Sequence, residues 1–210
     1  MEHGRTRGQP LVKTRLYVEG AGQTDLERTQ CRQAFSAFFS AAGLAGRPPR
    51  VVPSGGRQQT YGAFVTAMGA RRAGEVPLLL VDSEAPVSAG HTVWQHLQQR
   101  DGWEKPGGAN DDQAFLMVQV METWFVADRG LLRDEFGQDF IEKHLAAWPD
   151  LEGVPKKTML DGLQKATAHC GAKAYAKGRR SFVLLGRLDP AKVEKACPHA
   201  RRLLQHLRAG

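Results

Sequence analysis

Apolar positions along the chain come in two rhythms, short runs and stretches with helical spacing, and the two alternate. The segment 11–18, closing on Leu16-Tyr17-Val18, predicts a strand that stops at Glu19-Gly20. The turn Gly20-Ala21-Gly22 then leads into Thr24-Asp25-Leu26-Glu27, which has the form of a capping box. The Thr24 hydroxyl accepts from the amide three residues on, and Glu27 reaches back to the Thr24 amide. A helix opening there would bury one face carrying Leu26, Ala34, Phe35, Phe38 and Ala42 and end near 46–48. Val51-Val52 predicts a short second strand, and the Gly55-Gly56 turn leads to a helix over 58–72 with Tyr61, Phe64, Val65 and Met68 inward.

The run 77–81 is wholly apolar, as a strand covered on both faces of a parallel sheet must be. Pro86 closes its exit loop, and a helix over 89–99, a Gly/Asn/Asp-rich loop over 102–112 and a fourth strand over 115–120 follow. From Glu122 onward the pattern is helical, interrupted at Trp148-Pro149, at 153–155, near Gly171 and at Pro190. This βαβαβαβ order predicts the α/β class: a parallel sheet flanked by helices, with a helical C-terminal extension. The expected division is a flexible N-terminus over 1–10, an α/β domain over 11–150 and a basic extension over 151–210 packed on it.

Composition narrows the functional classes. With 210 residues, 41% of them apolar, the chain can build a core of its own. Its longest apolar runs, 76–81 and 115–121, fall far below the roughly 18 residues of a membrane span, so no membrane association is expected. The charged start MEHGRTRGQP lacks the apolar centre of a secretory signal, which predicts a cytoplasmic location. Cys31, Cys170 and Cys197 are odd in number and widely spaced, as free buried thiols are.

The formal net charge is +7, and it is unevenly placed: residues 151–210 carry 13 basic and 4 acidic side chains, residues 1–150 carry 16 and 18. Arg179, Arg180, Arg187, Lys192, Lys195, Arg201, Arg202 and Arg208 form either a positive face for a polyanion or an ordinary solvated helix surface.

Candidate chemistry lies at the strand ends. In an open α/β sheet the loops beyond the carboxyl ends of the strands form the crevice where ligands bind. Glu19 follows the first strand, Asp82 and Glu84 the third, and Glu122 the fourth run. Carboxylates converging in one crevice repel one another, and a hard divalent cation with oxygen ligands, Mg²⁺ or Mn²⁺, is the economical reason to gather them. His169-Cys170 and Cys197-x-His199 lack zinc-finger spacing, and no zinc is expected. No phosphate-binding Gly-x-x-x-x-Gly-Lys loop and no Gly-x-Ser-x-Gly elbow occur. Trp124, following an apolar strand, belongs in the core.

These residues carry a resemblance. Leu16-Tyr17-Val18-Glu19-Gly20 with Thr24-Asp25 resembles the motif that opens Toprim domains, and Leu78-Leu79-Leu80-Val81-Asp82-Ser83-Glu84 resembles their paired-acid motif. The segment 121–128, Tyr175-Ala176-Lys177, Leu184-Leu185 and Leu203-Leu204 resemble a family of small bacterial Toprim-like proteins of unknown function met in anti-phage defence loci, related to the overcoming-lysogenisation-defect nucleases. The paired acids here are Asp82-x-Glu84 in place of Asp-x-Asp, and Ala21-Gly22 lengthens the loop after Glu19.

The resemblance implies a Toprim-like fold and a Mg²⁺-dependent nuclease cleaving phosphodiester bonds of DNA or RNA, as a defence effector with an ATPase partner. Glu19 would be ligand or general acid/base, Asp82 and Glu84 would hold the metal, and Glu122 would be a further ligand or a support. Lys177 would contact phosphate, and with Arg179, Arg180, Arg201 and Arg202 would hold nucleic acid across the site. The rival expectation is a Toprim-like binding or regulatory subunit without catalysis, because a fold does not certify an activity. A third class, a structural interaction protein, would need an exposed apolar face.

Overall fold

The computed structural model describes residues 13–21 and 24–210, the Arg179 side chain excepted. The expected flexible segment 1–10, the first two residues of the first expected strand and Gly22 of the lengthened loop lie outside the described residues.

Four strands, β1 (Lys13–Val18), β2 (Arg50–Pro53), β3 (Glu75–Asp82) and β4 (Ala114–Met117), form one sheet in the order β2-β1-β3-β4, and every neighbouring pair is parallel. The alternation of side chains along a strand divides its residues between two cores. Leu16, Val18, Leu78 and Leu80 face α1 (Asp25–Phe39), where they meet Phe35, Phe38 and Phe39. Tyr17, Leu79 and Val81 face the opposite way, onto Phe64 and Met68 of α2 (Arg57–Gly69) and Trp94 and Leu97 of α3 (Val93–Asp101).

The capping box at Thr24 is formed: Thr24 Oγ1 accepts from the Glu27 amide at 3.2 Å, while Glu27 Oε2 accepts from the Thr24 amide. Leu26, expected inward, is 67% exposed, and Cys31 takes a buried place on that helix instead. Leu26 belongs to the first turn of α1, where Asp25 and Glu27 are its neighbours. Val65 is likewise exposed on α2. The third helix begins later than expected because a second capping box, Thr92 with Gln95, sets its start. β4 ends at Met117, yet the chain keeps running beside β3's exit loop: Met117 accepts from the Ser83 amide at 2.9 Å and Gln119 from the Glu84 amide at 2.8 Å.

Six further helices follow: α4 (Glu122–Ala127), α5 (Arg129–Phe136), α6 (Lys156–Thr167), α7 (Arg179–Leu185), α8 (Pro190–Ala196) and α9 (Pro198–Ala209). Trp124, Phe125, Leu163, Leu184, Leu185, Leu203 and Leu204 join the core on the α1 side of the sheet, so the basic extension shares its interior with the α/β part. Truncating one of the buried aromatics there, Phe35 for example, would cost about 3–5 kcal/mol. All three cysteines are free and buried, and Trp124 is fully buried, as expected. Among the described residues no helix is long and apolar enough to cross a membrane.

Candidate metal centre

Glu19 stands one residue beyond β1, Asp82 is the last residue of β3, and β1 and β3 are neighbours in the sheet. Beyond β1 the chain stays beside β3 through the Glu19 amide, which donates to the Leu80 carbonyl at 3.0 Å. Gly20 then turns away at φ 109°, a conformation open to glycine and costly for other residues. Glu84 itself adopts φ 63° without being glycine, the kind of local strain that recurs at functional sites.

The outcome is a close trio: one carboxylate oxygen from each of Glu19, Asp82 and Glu84 lies within 4.8 Å of the others. Among the described residues this is the one group of three or more His, Cys, Asp or Glu side chains so arranged. A pocket of about 210 Å³ opens on it, lined by Glu19, Asp82, Glu122, Lys177 and Ser181.

The charges of the trio are handled unequally. Burial, followed by repulsion from Glu19 and Glu122, holds the Asp82 carboxyl well above the ordinary carboxylate range. Its Oδ1 accepts from the Met121 amide at 2.9 Å. Burial also raises Glu19, against the opposing pull of Arg57. Glu19 Oε2 accepts from the Asp82 amide at 3.2 Å and from Arg57 Nη1 at 3.3 Å. Glu84 is ion-paired with Lys156, at the first position of α6, and has Arg100 at 3.7 Å.

Arg57 is the hub of this wall. It forks onto Asp101, with Nε at 3.0 Å from Oδ1 and Nη2 at 2.6 Å from Oδ2, donates to the Asp82 carbonyl, and lies 4.8 Å over the Trp103 ring. Burial alone would raise Asp101, but its bonds to Arg57 and the neighbouring guanidinium charges lower it overall.

Glu122 forms the far wall, outside the close trio. It is 3% exposed at the first position of α4, and its Oε1 accepts from the Tyr175 hydroxyl at 2.6 Å, with Lys177 Nζ at 3.6 Å. The same hydroxyl is 3.0 Å from Ser181 Oγ, and burial together with Glu122 pushes the phenol far above its ordinary value. Glu122 therefore has the place of a support and a source of negative field rather than that of a fourth close oxygen.

The basic residues expected to join one positive surface are dispersed. Lys177 lines the pocket, half-exposed, and Arg180 shares a neighbouring concavity with it while bonded to Glu135 at 2.7 Å. The Arg179 side chain lies outside the described residues. Arg201 binds the carbonyls of Glu194 and Lys195, and Arg202 binds the Ala114 carbonyl at the entry of β4, the opposite end of the sheet from the acids. A surface carrying Arg201 and Arg202 across the site is not formed. Their long side chains are drawn onto carbonyls and acids of the fold itself.

Arg57, Arg100, Asp101 and Lys156 escape the sequence reading. One signal for Arg57 and Lys156 was present: a cation in the first turn of a helix opposes the helix dipole, so its charge has its use elsewhere. Arg57 heads α2 directly after Gly55-Gly56, and Lys156 heads α6.

Compared with known proteins, residues 18–208 match the model of a family described as a domain of unknown function. No curated protein and no solved structure matches the chain.

Proposed function

We propose, from the premise that this chain belongs to the DUF4276 family of domains of unknown function, that it is a metal-dependent nuclease of Toprim type cleaving phosphodiester bonds. The observation that carries this is the trio Glu19, Asp82 and Glu84 at the carboxyl ends of β1 and β3, whose oxygens lie within 4.8 Å of one another, with Glu19 and Asp82 lining a pocket. The residues suit Mg²⁺ or Mn²⁺: all donors are hard oxygens, and burial first, with repulsion from neighbouring carboxylates after it, holds two of the carboxyls above their ordinary range, a cost that a cation would relieve. A bound cation would supply Lewis-acid polarisation of a phosphoryl oxygen.

The protein's own groups divide the remaining work. Glu19 and Asp82 would hold the cation through oxygens not committed to Arg57 and the Met121 amide, with Glu84 as third donor. Glu19, raised by its burial against the pull of Arg57, would serve as the general acid/base. Arg57 fixes the Glu19 carboxylate against β3. Lys177, which lines the pocket beside Glu122, would meet a phosphate, and the Tyr175 hydroxyl holds Glu122. The wider setting, a cytoplasmic effector of anti-phage defence beside an ATPase, rests on the Toprim resemblance.

One observation favours the non-catalytic reading. Glu84 already has Lys156 and Arg100 as partners, so the trio is partly neutralised without a metal. The two readings part in one assay: single- and double-stranded DNA and RNA with Mg²⁺, Mn²⁺ or chelator, alongside calorimetric titration of the metal. Cleavage that needs the metal and vanishes in Glu19→Ala supports the nuclease. Metal binding without cleavage of any substrate supports the binding subunit.

A further inference from the structure

At the other end of the sheet a second concavity of about 340 Å³ is lined by Lys13, Arg15, Arg47 and Arg50 against one acid, Glu75. Lys13, Arg50 and Glu75 are the first residues of β1, β2 and β3, so this pocket lies at the amino ends of the strands. It is roughly 15–20 Å from the acid trio, the length of β1.

Three features of this pocket leave positive charge available to an anion. Arg15 and Arg50 stand directly opposite each other in the β1-β2 register, and like charges in that relation are destabilising. Glu75 is consumed by Arg15, at 2.8 Å, which leaves Lys13 and Arg50 without an acidic partner among the described residues. Among the described residues Arg47 donates only to main-chain oxygens, those of Arg208 and Gly210, both at 3.4 Å. Most of its five donors therefore face solvent.

From this geometry we infer a binding site for a polyphosphate anion, free or carried by a nucleotide. Guanidinium groups match phosphate oxygens two at a time, and a lysine adds a point charge. The volume is that of a small-molecule pocket. Pro48, Pro49 and Leu207 give it an apolar wall beside the cations, against which a base or sugar can rest.

The test uses the full chain in chelator, with 1 mM tripolyphosphate or ATP as probes and NaCl of equal ionic strength as control. Either probe should raise the melting temperature by about 2–5 °C. Calorimetry should show affinity falling at least about tenfold in the double variant Arg47→Ala/Arg50→Ala, and also in the single, exposed variant Arg50→Glu. Binding should persist in Asp82→Ala, which separates this site from the proposed metal centre and from the nuclease reading. ATP tighter than tripolyphosphate identifies a nucleotide as the ligand, and equal affinity identifies the phosphate chain alone. No shift beyond the salt control, wild-type affinity in the variants, or loss of binding in Asp82→Ala would overturn the inference.

Discussion

Two buried aspartates behave in opposite ways. Asp82, in the pocket, receives one backbone amide and is surrounded by Glu19, Glu84 and Glu122, and its carboxyl is held well above the ordinary range by burial first and these neighbours next. Asp128, between α4 and α5, is 2% exposed, and burial alone would raise it too. Its Oδ1 accepts from the Leu131 amide at 3.1 Å and Lys192 Nζ at 2.7 Å, and its Oδ2 from the Asp189 amide at 3.1 Å, so it ends below the ordinary range. Burial raises both carboxyls; three donors outweigh it at Asp128, whereas one amide does not at the more deeply desolvated Asp82, which also faces other carboxylates. Asp128 is a finished structural joint tying α5 to the start of α8, whereas Asp82 is left short of positive charge in a place open to a ligand.

The largest effect that would break this contrast is on activity. If the proposed nuclease reading holds, Asp82→Ala and Glu19→Ala should each lower metal-dependent cleavage by about 10²–10⁴-fold with unchanged circular dichroism. Asp128→Ala should leave cleavage near wild type below its own melting temperature. Equal loss of activity in all three variants would make Asp82 one more structural acid.

Next in size is stability at Asp128. Removing its carboxylate leaves two buried amides without an acceptor, and Asp128→Ala should cost about 2–3 kcal/mol, read as a melting temperature lower by roughly 5–10 °C. The sign of its pH dependence follows from its lowered range. Its stabilisation is present above the unfolded value of 3.8 and is lost as pH falls through the lower folded value.

Asp82 has the reverse sign. Its folded range is raised, so its contribution is intact below 3.8 and is lost as pH climbs through the folded value. In metal-free protein at pH 7.5, Asp82→Asn should therefore stabilise by about 1 kcal/mol, the usual scale of strain released at a functional site. Differential scanning calorimetry at pH 7.5 and pH 5 should show the gain shrinking at the lower pH. Added Mg²⁺ should raise the wild-type melting temperature and leave the variant nearly unmoved.

The smallest expected change is at Glu27, an acid near the site in sequence but occupied by the helix cap. Glu27→Gln completes the same box and should shift stability by less than about 0.5 kcal/mol at wild-type activity. A folded but inactive Glu27→Gln protein would enlarge the catalytic set.

The acids were legible from the sequence because each directly follows an apolar run whose end a parallel sheet turns into one rim. The cations that meet them were not, because Arg57 and Lys156 reach Glu19 and Glu84 from helices 38 and 72 positions away, a distance that only the folded chain closes. The basic tail misled for a related reason. Arg180 and Arg187 pair with Glu135, Lys192 with Asp128 and Arg202 with Asp112, so much of the charge imbalance between the two halves cancels when they meet. Leu26 misled because helical periodicity says which side a residue is on, not whether a neighbouring layer covers it.

The shared core has a consequence for the order of events during synthesis. Phe115 on the edge strand β4 is covered by His206 and Arg202, with ring centroids 5.2 Å apart and the guanidinium 4.7 Å from the ring, and Leu203 and Leu204 close the same core as Leu16 and Leu80. A ribosome delivers those partners nearly two hundred residues after β1, so α1 covers its part of that face early while Phe115 on β4 waits for α9. Emergence of α9, rather than emergence of the sheet, should mark the moment at which this end of the core is closed.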